Sequence, residues 1–255
     1  MIKRAGPYFA VLQLFFTLTW TVYVIFLPRL AAQVGIPKQW VVWILLADQL
    51  VFLVVDWMMG VYSDRALKVV GKLGPQLALL TLVSDLAFLL LPFIAPLASP
   101  LLFLLLTFVW TATSSALRAP LLVMLDKYAS HGDSRWMTSL WLFGSGVAGA
   151  IAPYFTVRLR DADPQLPFVL SSIAVAATAW ALSWAERTLA KDAPQKTPPT
   201  PTALRIPIPA FLLIAVLAGL GYQVHFSLNS ALQYLRFAQS AELEMLMPVF
   251  WIGFN

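Results

Sequence analysis

Long apolar runs separated by short polar turns dominate this chain. They lie at about Tyr8–Leu27, Trp40–Tyr62, Gln76–Leu97, Leu101–Leu125, Trp136–Val157, Phe168–Trp184 and Ala210–Ser230, and an eighth opens near Met247. A helix needs roughly 20 apolar residues, at about 1.5 Å rise each, to cross the hydrocarbon of a bilayer. The runs reach or approach that length and lack the alternation of barrel strands, so each predicts a membrane helix. Connections between the first six are short, which predicts antiparallel neighbours. Lys3 and Arg4 precede the first run in the manner of a signal peptide. That run is too long for a signal-peptide core, so it reads as an uncleaved first helix.

Composition points the same way. The 255 residues are 60% hydrophobic and 11% charged, with a mean hydropathy of +0.79. A soluble domain carries about 25% charge, and this chain lacks the polar surface to cover a water-soluble globule. A soluble enzyme or a nucleic-acid-binding protein is thereby excluded. The net charge of +5 has another origin. With a cytoplasmic N-terminus, twelve of the 17 basic residues fall inside: Lys3, Arg4, Arg65, Lys68, Lys72, Arg118, Lys127, Arg135, Arg187, Lys191, Lys196 and Arg205. Arg29, Lys38, Arg158, Arg160 and Arg236 fall outside. The positive-inside rule therefore predicts a cytoplasmic N-terminus. Tryptophan-rich, cysteine-free sequence with short loops suits a bacterial inner membrane. The absence of cysteine removes disulfides, thiolate metal ligands and cysteine nucleophiles.

The stretch from Arg187 to Ile208 departs from the pattern. It is polar and carries Pro194, Pro198, Pro199 and Pro201, which preclude a regular helix and predict an extended cytoplasmic linker. The expected organisation is thus a six-helix bundle over residues 1–186, a proline-rich linker over 187–208, and over 209–255 a seventh helix with part of an eighth.

The second span leads into Asp56-Trp-Met-Met-Gly60-Val-Tyr-Ser-Asp64-Arg65, followed by Gly71-Lys72 and Pro75. Gly60 is expected to let a helix end approach its neighbour closely. Asp64 and Arg65 sit at the membrane surface, where a charge pair can lock a connection. Asp56 lies a turn before Gly60 and needs a partner if ionised near the membrane. This string resembles the signature of the major facilitator superfamily between its second and third helices. The spacing from Asp56 through Arg65 matches. Gly71-Lys72 lies further along than in the commonest form, and is more similar to the sucrose and glycoside–cation symporter branch. Arg118-Ala-Pro120, Asp126 and Arg135 are similar to the end of the family's fourth helix and its basic turn. Gly144, Gly146, Gly149 and Pro153 resemble a degenerate form of a glycine-proline motif of antiporters, but without its terminal Gly-Pro. Close helix packing is the favoured reading of those glycines.

The resemblance implies an all-α membrane protein with two six-helix halves around a central cavity, of which this chain supplies the first half, the linker and about one and a half helices. The chain accordingly reads as partial. The resemblance also implies that the first, fourth and seventh helices line the transport path. Gln13, Thr17, Trp20 and Thr21 fall within a sector of about 100° on the first helix, as do Thr107, Thr111, Ser114, Ser115 and Arg118 on the fourth. Gln13, Trp20 and Arg118 are therefore candidate cavity residues, while the hydroxyls suit cavity lining and interhelical hydrogen bonding equally. Asp48 and Asp85 lie near the middles of the second and third spans. A carboxylate there is costly to ionise unless a cation pairs with it. Asp48 is the better candidate for proton or cation coupling, beside the plainer reading of a structural hydrogen bond to a neighbouring helix, and Asp85, on a helix that is usually peripheral in the family, is assigned to structure. On the seventh span, His225 and Asn229 share a face as candidates for substrate contact or proton relay, and Gly219 and Gly221 just before them invite a bend or unwinding.

No metal cluster, cofactor motif or phosphate-binding glycine loop is recognisable, so neither an enzyme nor an ATP-driven pump is expected. The function expected is secondary transport of a small solute across the cytoplasmic membrane by alternating access, coupled to an ion gradient. The alternative is a half-size membrane protein without transport of its own, such as an oligomeric partner, a receptor or a remnant.

Overall fold

The computed structural model describes residues 2–69, 74–97, 99–118, 131–159, 161–180, 207–224, 231–239, 242–243 and 245–246. Among these residues the regular structure is entirely helical. Eight α-helices follow in order: α1 (Ile2–Gln33), α2 (Val41–Val69), α3 (Gly74–Ile94), α4 (Pro100–Ala116), α5 (His131–Leu159), α6 (Gln165–Trp180), α7 (Ile208–Val224) and the short α8 (Ala231–Tyr234). Four segments are long and apolar enough to span a bilayer: Gly6–Gln33, Lys38–Ser63, Gln76–Leu97 and Trp136–Leu159. Shorter apolar helices cover Pro100–Ala116, Gln165–Thr178 and Pro209–Gly221. The chain is an all-α membrane protein.

Contacts divide it into two compact units, Met1–Pro194 and Gln195–Phe254. In the first, α1 packs along α5 and also on α6, α3 packs on α4 and α6, and α2 rests mainly on α4. The core is aromatic and aliphatic, with Tyr23, Phe26, Leu27, Phe88, Leu91, Phe103, Trp110 and Phe168 buried together. Phe88 and Phe168 stack at 4.3 Å between ring centroids, joining α3 to α6. The large apolar side chains of α2, among them Leu46, Leu50, Leu53 and Trp57, face outward, as they should on a helix bathed in lipid. In the second unit α7 runs without interruption through Gly219 and Gly221. The unwinding expected at those glycines does not occur within Ile208–Val224, because a lone glycine costs a helix only about 1 kcal/mol.

The helices differ from the apolar runs at their ends. α1 closes at Gly35, whose φ of +81° is open to glycine at no steric cost. The Ile36 N–H then donates back to the Ala31 carbonyl at 2.8 Å. α2 continues past Tyr62 to Val69, so Asp64 and Arg65 lie on a helix and not in a connection. Hydropathy marks the membrane boundary, whereas the helix persists through Arg65-Ala-Leu-Lys68, all good helix formers. α5 likewise begins at His131, five residues before the apolar run that opens at Trp136. α4 ends at Ala116, well short of Leu125. Pro120 has no N–H to offer the Ala116 carbonyl, which sets a limit to α4.

Gly60 corrects another expectation. Among the described residues a Cβ placed there would meet nothing within 4 Å, so this glycine serves no close approach to any of them. The close approach is at Gly144, where a Cβ would run into the backbone carbonyl of Ala10. That contact explains the intimacy of α1 with α5 and fits the packing role of this glycine.

A candidate solute cavity

The six described helices of the first unit surround a half-open cavity of about 300 Å³. Its wall includes Gln13, Phe16, Thr17 and Trp20 from α1, Gln49 and Phe52 from α2, and Ser84 and Asp85 from α3. Trp110 and Ser114 of α4, Arg118 just beyond it, Ser145 of α5 and Val175 of α6 also contribute, as does Thr19 of α1. Polar side chains in a bundle interior are costly unless they find partners or face such a space.

Arg118 anchors one part of this wall. Its guanidinium lies 3.2 Å from Asp56 Oδ2 and 4.3 Å above the ring of Phe52. The Ser115 hydroxyl lies 2.6 Å from Asp56 Oδ1, a distance typical of a charge-assisted hydrogen bond. Two residues that the sequence singled out separately, the signature aspartate and the α4 arginine, are thus one ion pair. The Arg118 Nε keeps a buried N–H without a partner among the described residues.

The aromatic part is formed by Trp20, Phe52 and Trp110. The two indoles lie nearly parallel with centroids 6.0 Å apart, and Phe52 tilts against Trp20 at 5.1 Å. Gln13 adds a polar atom whose identity follows from local hydrogen bonding. The Thr17 hydroxyl donates to the Gln13 backbone carbonyl at 2.9 Å. Its oxygen can then only accept, so the amide nitrogen of Gln13 must face it, at 3.4 Å. The Gln13 Oε1 is left buried without a donor among the described residues.

Asp48 and Asp85 sit differently in the bundle. Asp48 is buried between helices and does not line this cavity. It accepts from Tyr23 Oη at 2.8 Å and from Thr111 Oγ1 at 2.8 Å, which ties α2 to α1 and α4. Asp85 lines the cavity, is 8% exposed, and carries an Oδ2 without a partner among the described residues. The missed signal was local. Thr81, Ser84 and Asp85 are all buried on one face of α3, at the i, i+3, i+4 spacing that turns a polar stripe inward.

The α4 stripe divides in the same way. Ser114 and Arg118 face the cavity, while Thr111 and Ser115 are engaged with the α2 carboxylates. On α1, Thr21 donates to the Thr17 carbonyl instead of lining the cavity. Gly71, Lys72, His225 and Asn229 lie outside the described residues, as does nearly all of the proline-rich linker. Among the described residues no three His, Asp or Glu side chains gather as a metal site would require.

No family model, curated protein or solved structure matches this chain.

Proposed function

We propose that the chain works as a secondary active transporter of the major facilitator type, moving a small solute across the cell's inner membrane with its N-terminus cytoplasmic. The observation that carries this reading is the cavity itself. An apolar bundle has devoted an arginine, a carboxylate, two amides and several hydroxyls to the wall of one cavity, where each costs free energy unless a ligand or water uses it. The Asp56–Arg118 pair supports the family reading, because it joins the signature segment to the helix that would line the path. Binding at the cavity and rearrangement of the helices around it would expose the solute to either side in turn. An ion gradient would supply the driving force.

The test is uptake by proteoliposomes containing the complete protein, energised by an imposed proton or sodium gradient. Labelled sugars, amino acids, carboxylates and amines would be offered in turn. The expected result is accumulation of at least one class above protein-free vesicles, lost in Arg118→Ala. Failure of every class, with no dissipation of either gradient, would remove transport from consideration.

A further inference from the structure

We propose that the cavity binds a small organic cation, an ammonium bearing an apolar group. This inference rests on the reading of the cavity as a solute site and adds the chemical class. Among the described lining residues the charged groups are Arg118 and Asp85. Arg118 is already matched by Asp56 at 3.2 Å, outside the lining. Asp85 has no such match among the described residues, so a bound cation would supply the partner that its ionised form needs. Its side chain is more than nine-tenths buried, and one of its oxygens lacks any donor. Gln13 contributes a second buried acceptor without a donor, with its orientation fixed by Thr17. A buried acceptor left unsatisfied costs about 1–3 kcal/mol, so a ligand rich in donors gains most here. An ammonium offers three donors and no acceptor.

The remaining wall suits the rest of such a molecule. The aromatic surface of Trp20, Phe52 and Trp110 offers apolar area and the negative ring faces that attract cations. The volume of about 300 Å³ lies at the lower end of small-molecule pockets, which run roughly 300–1,000 Å³. An anionic solute would meet Asp85 directly and would have to draw Arg118 away from Asp56.

Phenethylamine, 2-phenylethanol and phenylacetate have similar shapes and differ in charge. Their binding to the complete protein, purified in detergent, can be measured by equilibrium dialysis without any transport step. The expected result is that phenethylamine binds at least tenfold more tightly than either of the others. Asp85→Asn should abolish that preference and Asp85→Glu should keep it. The wild-type charge series needs no variant, so it decides the matter even if Asp85→Asn fails to fold. Equal affinities, a preference for phenylacetate, no binding of any probe, or a preference unchanged in folded Asp85→Asn would each overturn the proposal. A preference for phenylacetate would leave the transporter reading intact and change only the class of solute. Failure of the uptake experiment, with phenethylamine still preferred, would do the reverse.

Discussion

The Arg118 guanidinium reaches back from the end of α4 to Asp56 on α2, and the pair closes at 3.2 Å beside the cavity. Both side chains keep more than a third of their surface exposed, so in water such a pair would contribute little. Its importance is positional, since it holds a cation at the cavity wall without leaving it free. A double-mutant cycle on Asp56→Asn and Arg118→Gln, read by thermal unfolding in detergent, should give a coupling of about 1 kcal/mol. Additive effects of the two changes would mean that the pair does not act as a unit.

The glycines of the bundle should separate sharply. Gly144→Ala forces a methyl into the Ala10 backbone, whose carbonyl carbon lies 2.9 Å from where that methyl would stand. Backbone cannot step aside as a flexible side chain can, and overpacking of this kind costs about 1–3 kcal/mol. Gly60→Ala meets nothing within 4 Å and should be neutral or stabilising by up to about 1 kcal/mol, the helix preference for alanine. Melting temperatures of the two variants in one detergent would check the ordering.

Asp48 should behave as a structural carboxylate. Tyr23→Phe and Thr111→Val each remove one of its hydroxyl donors while preserving shape. Each should destabilise by about 1–3 kcal/mol, the cost of leaving a buried acceptor without a donor. Energised uptake by Asp48→Asn should retain its dependence on the ion gradient. Loss of gradient dependence with unchanged stability would restore the coupling role to this residue.

Topology can be read by chemistry, because the chain has no cysteine of its own. A single cysteine at exposed Asp161, between α5 and α6, should react with a membrane-impermeant maleimide in intact cells. A cysteine at Lys127 should react only after lysis. The reverse pattern would place the N-terminus outside.

Much of the bundle was legible because hydropathy reports directly on burial in lipid. The centres of α1, α2, α3 and α5 coincide with apolar runs. Their ends were less legible, since a helix need not stop where the membrane does. The α4 boundary was available in Pro120, but an apolar run hid it. The cavity was legible only where one helix carries its own polar stripe, as with Gln13, Thr17 and Trp20. Asp85 carries a signal of the same kind, in the buried stripe of Thr81, Ser84 and Asp85 on α3. What marks Asp48 is its neighbouring helices, which bring the Tyr23 and Thr111 hydroxyls to its carboxylate.

The seam at Gly144 also limits how the first unit can deform. Where two backbones touch, neither helix can rotate or slide without lifting away, so α1 and α5 should travel as one stiff strut. The α2–α4 side is held differently, by hydroxyls that grip carboxylates and can let go one bond at a time. Compliance in this bundle is therefore lopsided, with a rigid spine along one edge and a releasable clasp along the other.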